Sequence, residues 1–215
     1  MNNNFELVGQ DNKMELYRLE SEPFGTNTYI VFCAENRDSV LIDAPGNAEM
    51  IREKLKGSKL QAILMTHSHM DHVMALEELS SSLDAPLAAH EDDAGTLPVK
   101  VNQLLTDGDT IDCGRVRLEV IHVPGHTAGS LCFKAGNYLI AGDTMFPGGP
   151  GKTATPHDFK QILSSIEDKL LTLPDETIVL PGHGASTTIG SERALIKDFM
   201  ARGYDENTCG DVTWQ

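Results

Sequence analysis

Residues 65–72, MTHSHMDH, place three imidazoles and a carboxylate within six consecutive positions, directly after an apolar run. A lone histidine is usually a partly buried side chain with one hydrogen bond. The H-x-H-x-D-H spacing is instead a ligand pattern. Imidazole nitrogen and carboxylate oxygen suit zinc, and they also bind iron and manganese. On an extended backbone His67 and His69 share one face. Asp71 and His72 follow where the chain turns into a helix, aimed at a neighbouring position.

Three other apolar runs end in the same kind of chemistry. VIHVPGH finishes in Pro-Gly and His126, YLIAGD in Gly and Asp143, and TIVLPGH in Pro-Gly and His183. Ligands gather beyond the carboxyl ends of strands in open α/β sheets, so four such ends on one edge make one site from distant residues. The donors are then five histidines (His67, His69, His72, His126, His183) and two aspartates (Asp71, Asp143). One tetrahedral structural zinc uses four ligands. Seven suit two divalent metal ions sharing a carboxylate. His90, His122 and His157 stand outside this pattern and read as packed or exposed side chains.

The elements that must position these donors are legible as periodicity. Strands are expected at NTYIVFC, SVLIDAP, LQAILMT, APLAAH, RVRLEVIHV, GSLCFKA, NYLIAG and TIVLPG. Asp107-Gly108 and Ala135-Gly136-Asn137 read as turns between paired strands. Four helical stripes interleave with these runs. The first is Ala48, Ile51 and Leu55, behind an Asn47 cap and stopped at Gly57. The second is Val73, Leu76, Leu79 and Leu83. The third is Phe159, Ile162, Ile166 and Leu170, opened by Asp158 with Gln161 in capping-box position. The fourth is Leu195 with Phe199, ending near Gly203. Strands and helices in alternation predict sheet covered by helices.

Composition narrows the classes. A chain of 215 residues without a repeat, a linker or a mid-chain shift in composition reads as a single domain over residues 1–215. The net charge of −15, with no cluster of Lys and Arg, argues against a nucleic-acid partner and for a soluble acidic surface. It also disfavours a strongly anionic substrate unless bound cations reverse the sign locally. No apolar run approaches the roughly 20 residues of a spanning helix, and the first residues lack the pattern of a secretory leader. A cytoplasmic location without membrane contact is therefore expected. Cys33, Cys113, Cys132 and Cys209 are widely spaced and read as reduced thiols.

Taken together and in this order, H-x-H-x-D-H, PGHTAGS, GDT and PGHG resemble the metallo-β-lactamase superfamily over nearly the whole chain. The resemblance implies an α+β fold, a four-layer αββα sandwich with two divalent metals at one edge, zinc first and iron or manganese as alternatives. It assigns His67, His69 and His126 to one metal and Asp71, His72 and His183 to the other, with Asp143 bridging. Asp43 in LIDAPG matches the strand-end aspartate that supports the histidine loop from the second shell, and a plain turn or cap is its other reading. Zinc β-lactamases of the commonest kind carry cysteine where Asp143 stands. The aspartate and the segment GDTMFPGGPGKT are more similar to glyoxalase II (hydroxyacylglutathione hydrolase) and its shorter bacterial relatives.

In those enzymes a lysine after the GDT loop binds the substrate's glutathione carboxylate. Lys152 falls near that place, and its other reading is an exposed lysine in a Gly-rich loop. This chain departs from glyoxalase II in two respects. The aromatic expected soon after that lysine is missing, and the roughly 30 residues after His183 leave no room for a C-terminal helical glutathione-binding domain. The implied activity on a small-molecule substrate is hydrolysis of a thioester, ester or lactone by a metal-bridging hydroxide. Asp71 orients the nucleophile, and no covalent enzyme intermediate forms. The rival is an oxidoreductase resembling the mononuclear iron persulfide dioxygenases, with one iron held as by His67, His126 and Asp143. Acyl group, leaving group, native metal and oligomeric state have no signature in the chain.

Overall fold

The computed structural model describes residues 4–215. Seven strands make the first sheet in sequence order: β1 (Glu6–Gln10), β2 (Met14–Ser21), β3 (Thr26–Cys33), β4 (Asp38–Ile42), β5 (Lys59–Leu64), β6 (Leu87–His90) and β7 (Gln103–Leu105). The first four pair antiparallel, and β4 through β7 pair parallel. The second sheet holds β8 (Thr110–Cys113), β9 (Val116–His122), β10 (Leu131–Ala135) and β11 (Tyr138–Gly142). After a small ribbon of β12 (Met145–Phe146) and β13 (Gly149–Pro150), it is completed by β14 (Ile178–Pro181) and β15 (Thr187–Thr188). The order is β15-β14-β11-β10-β9-β8, with β11 and β14 parallel and the other pairs antiparallel.

Strand periodicity sorts side chains into the layers. Leu16, Tyr29, Val31, Ile42 and Leu64 of the first sheet meet Leu118, Val120, Phe133, Ile140 and Leu180 of the second in a common core. Alternate residues of the first sheet, among them Ile30, Phe32, Leu41 and Ile63, face α1 (Ala48–Leu55) and α3 (Leu76–Ser82). Between those two helices lies one turn, α2 (Met70–Val73), and after β6 comes another, α4 (Glu91–Ala94). The outer face of the second sheet, including Ile121, Leu139 and Val179, packs on α5 (Pro156–Ser165), its π-helical extension Ile166–Leu170, and α6 (Ile189–Arg202). Helix, sheet, sheet and helix give the expected αββα sandwich. Because both faces of β3 are covered, all eight of its residues are buried.

Several local expectations need correction. The stripe from Val73 to Leu83 is two helices rather than one. The chain is tied down at its middle, where Ala44 donates its N–H to the His72 carbonyl at 2.9 Å and Ala75 donates to the Ala44 carbonyl at 2.8 Å. Asp107-Gly108 does not join paired strands: β7 and β8 lie in different sheets, so this turn carries the chain from one to the other. Gly136-Asn137 does close a hairpin, between paired Ala135 and Tyr138, with Gly136 at φ 55°. Asp158 is the third residue of α5, and Thr155 is its cap. The two form a reciprocal capping box with Pro156 at the first position, so Gln161 has no part in it. Asn47 does precede α1, but at φ 54° its side chain makes no cap and binds Ser21 Oγ instead. β1 and β2 escape the apolar-run criterion because Glu15, Arg18 and Glu20 interrupt β2.

Phe133 is wholly buried between the sheets, and truncating a core phenylalanine removes its transfer energy and leaves a cavity. Phe133→Ala is expected to lower unfolding free energy in urea by about 3–5 kcal/mol. A loss below about 1 kcal/mol would show that the two sheets do not share this core.

Candidate metal centre

The direction of the strands decides where the donors arrive. β4, β5 and β6 run parallel, and their carboxyl ends release Asp43, the His67–His72 loop and Asp93. In the second sheet β9, β11 and β14 also share one direction, two antiparallel steps and one parallel step apart, and release His126, Asp143 and His183. All seven predicted donors meet at one edge of the sandwich. Three groupings have ligand atoms mutually within 4.8 Å: His67, His69 and His126; His67, His72 and Asp143; and Asp71, His72 and His183.

Asp143 stands between the two ends of this cluster. Its Oδ1 is 3.3 Å from His72 Nε2, and its Oδ2 is 3.6 Å from both His126 Nε2 and His183 Nε2. His67 Nε2 and His126 Nε2 are 3.3 Å apart. Asp71 Oδ2 lies 3.0 Å from His183 Nε2 and accepts a hydrogen bond from Thr26 Oγ1 at 3.1 Å.

The orientation of the rings follows from what holds their outer nitrogens. His72 Nδ1 donates to Asp43 Oδ2 at 2.8 Å, His126 Nδ1 to the Lys152 carbonyl at 2.8 Å, and His183 Nδ1 to the Phe24 carbonyl at 3.2 Å. Thr66 Oγ1 spends its own proton on Asp43 Oδ2, so it accepts from His67 Nδ1 at 3.0 Å. Four imidazoles thereby carry their protons outward and turn Nε2 lone pairs toward the centre, the arrangement of metal-ligating histidines.

Electrostatics favour positive charge beside Asp43 and Asp143 and disfavour it on His67 and His126. Burial works against protonating His72, but Asp43 and Asp143 outweigh it and lift its pKa to about 10. Burial, then the neighbouring imidazoles, push His67 well below the ordinary range, and burial also lowers His126. Burial alone would raise Asp143, yet His72 and the other imidazoles bring it below the usual carboxylate value. His72 Nε2 and Asp143 Oδ1 are buried without a well-formed hydrogen bond. Either a proton on His72 Nε2 or a cation can answer Asp143 Oδ1 across this 3.3 Å gap, and a cation would meet both atoms as lone-pair donors. The backbone has also been cleared away: a Cβ at Gly182 would lie 2.1 Å from Asp143 Oδ1, and one at Gly151 would lie 1.7 Å from the Asp143 carbonyl oxygen.

Asp43 is a buried support and not a plain cap. Besides His72 it accepts from Thr66 N at 2.8 Å, and it sits at φ 60°, a left-handed conformation that aspartate tolerates better than most residues. Asp93 was not among the expected site residues. Its Oδ2 accepts from Ser68 N at 2.8 Å and Thr127 Oγ1 at 3.0 Å, and its Oδ1 from Gly129 N at 3.0 Å. One buried carboxylate thus joins the His67–His69 loop to the His126 loop. Its position just past the end of β6 was the available signal, hidden in the run Glu91-Asp92-Asp93.

His90 and His122 are outside the seven-donor cluster, stacked on each other with ring centres 3.9 Å apart. With Asp92 they form a fourth grouping of metal-type donors. His157 is in the first turn of α5. Lys152 and Phe146 line a pocket of about 370 Å³ that opens on His126, Asp143 and His183, whereas Phe24 is half exposed and does not line it. The four cysteines are free, with only Cys209 exposed. Among the described residues no helix is long and apolar enough to cross a membrane.

Residues 21–183 match the family model described as the Metallo-beta-lactamase superfamily. The chain is 32% identical over 202 residues to a probable metallo-hydrolase, YqgX, of Bacillus subtilis, covering 84% of this chain and 95% of that protein. It is 31% identical over 182 residues to hydroxyacylglutathione hydrolase GloC of Haemophilus influenzae, covering 74% and 86%. Among solved structures, BLEG-1, a B3 metallo-beta-lactamase, superposes with a TM-score of 0.75 at 28% identity, over 83% of this chain and 96% of that one. ETHE1 from Myxococcus xanthus gives 0.72 at 28%, over 83% and 81%, and TTHA1623 in a di-iron-bound form gives 0.64 at 30%, over 88% and 96%.

Outer-shell partners typically contribute 10–100-fold to metal affinity. Asp43→Asn and Asp93→Ala are each expected to weaken zinc binding by about that factor in competition with a chromogenic chelator, with far-UV circular dichroism unchanged. Wild-type affinity in either variant would mean that the loop in question is held by something else.

Proposed function

The chain belongs to the metallo-β-lactamase superfamily, and from that premise we propose that it is a dinuclear metallohydrolase of thioesters, esters or lactones, most similar in chemistry to hydroxyacylglutathione hydrolases. The observation that supports this reading is the placement of Asp143, whose carboxylate lies within 3.6 Å of imidazoles from both ligand sets, His126 of one and His72 and His183 of the other. In the proposal His67, His69 and His126 would hold one ion and Asp71, His72 and His183 the other, with Asp143 available to both. Zinc is the first candidate. Iron is supported by the di-iron form of TTHA1623, and manganese suits the same donors. Such ions supply Lewis acidity and a bound water acidified toward neutrality.

The chain's own groups then have separable tasks. Asp71, held by Thr26 Oγ1, orients the attacking water. Asp43 keeps His72 in the tautomer that presents Nε2. The Lys152 carbonyl does the same for His126, while the Lys152 side chain faces the pocket and offers a cation to the substrate. Phe146, with its ring centre 6.4 Å from that of His183, walls the same pocket with apolar surface. No step of this scheme requires a side-chain nucleophile.

The test is turnover by protein reconstituted with zinc, iron or manganese on a panel of acyl thioesters, aryl esters and lactones. At least one class should be hydrolysed, with activity lost to chelator and restored by metal. Asp143→Ala should reduce kcat/KM by at least about 100-fold, because losing a shared ligand costs more than the roughly 10–100-fold typical of outer-shell partners. An unchanged rate in that variant would sink the dinuclear scheme. Oxygen consumption with glutathione persulfide, and no hydrolysis of the panel, would replace it with the mononuclear iron reading.

A further inference from the structure

The last residues of the chain return to the metal-site pocket. Gly210 and Thr153 exchange backbone hydrogen bonds of 3.2 and 2.9 Å, and Trp214 N donates to the Gly148 carbonyl at 2.8 Å. Trp214, the single tryptophan of the chain, is 1% exposed and buried against α5 and α6. Its Nε1 donates to Glu192 Oε2 at 3.1 Å, and Gly148 N donates to the same oxygen at 3.0 Å. Thr187 Oγ1 satisfies Oε1 at 2.7 Å. A carboxylate only 2% exposed is thus fully occupied in fastening the tail to the β12–β13 loop. The fit is close, because a Cβ at Gly149 would lie 2.6 Å from the Val212 carbonyl oxygen.

Between these two anchors, Asp211, Val212 and Thr213 face the pocket that holds His126, Asp143 and His183. Asp211 Oδ2 lies 3.7 Å from Lys152 Nζ, with both side chains largely in solvent at 83% and 67% exposure. An exposed pair at that distance adds little stability. Its consequence is for recognition: the cation offered by the pocket wall is already accompanied by an anion.

We propose that the tail segment 210–214 is the specificity-determining wall of this pocket, and that Asp211 selects against leaving groups carrying a carboxylate. A carboxylate reaching for Lys152 must displace Asp211 or share the lysine with it, whereas a neutral leaving group meets no such competition. The substrate class is therefore a thioester or ester whose leaving group is uncharged where it passes Lys152. This inference rests on the hydrolase reading for its substrate, but the wall itself is a property of the pocket.

The test uses N-acetylcysteine and N-acetylcysteamine, thiols that differ by one carboxylate. Their affinities for the zinc-loaded full chain are measured by calorimetry, and the acetyl thioesters of both are assayed for turnover. Wild type, Asp211→Asn and Asp211→Lys form a charge series, with Trp214 emission reporting that the tail stays docked. Preference for the carboxylate thiol is expected to rise about threefold per unit of charge at a solvent-exposed pair, in Kd and in KM but not in kcat. A flat or reversed series, or no binding of either thiol, overturns the proposal. A rising preference for the carboxylate thiol in Kd, without turnover of either thioester, sinks the hydrolase reading and leaves the wall standing.

Discussion

Two carboxylates grip one buried imidazole from opposite sides. His72 gives its Nδ1 proton to Asp43 at 2.8 Å and turns Nε2 toward Asp143 at 3.3 Å. Asp43 follows β4 in the first sheet, His72 lies in α2, and Asp143 follows β11 in the second sheet, so this line of three residues crosses the sandwich at its functional edge. Two buried anions around a single ring are tolerable only where positive charge is available. The protein alone can supply it by protonating His72, which accounts for a pKa lifted to about 10. Divalent cations would answer the same field more completely, because the inward-facing nitrogens of His67 and His126 on one side and His183 on the other lie ready for them as well.

The fold serves this requirement through strand direction. Parallel pairing of β4, β5 and β6 brings three polar strand ends to one edge, and the alternation in the second sheet returns β9, β11 and β14 to the same edge. The tight β10–β11 hairpin at Gly136-Asn137 turns at the opposite end and carries no donor, whereas the longer connection between antiparallel β9 and β10 turns at the site edge and carries His126. The apolar core between the sheets supplies rigidity, since close-packed interiors do not deform smoothly. Asp43 and Asp93 transmit that rigidity to the loops, each through bonds to backbone N–H groups and side chains on the ligand segments.

Much of this was legible from residue order. Apolar runs located eight strands, because a strand covered on both faces, like β3, cannot carry many polar side chains. The seven donors were legible because each follows such a run within a few residues. What stayed hidden depends on contacts between segments far apart in the chain. Asp93 looks like one acid among three until the two loops it joins are seen on either side of it. The break between α2 and α3 is imposed by bonds to Ala44, which no local spacing reveals. The tail is the clearest case, since Trp214 and Glu192 declare their roles only through Gly148, in a different segment of the chain. The polar residues of β2 fall on both faces of the strand: Arg18 and Glu20 alternate with Met14 and Leu16 on the face toward the second sheet, where Arg18 reaches the Gly184 carbonyl, and Glu15 shares the other face with Leu19, so no single apolar face marks the strand.

The measurement closest to the central claim is metal content per folded chain, by elemental analysis of protein purified without chelator or a metal-binding tag. Two ions per chain are predicted in the native protein, in whatever combination of zinc, iron and manganese the cell supplies. A single ion per chain that stays single after equilibration with excess metal would contradict a centre built around a shared Asp143.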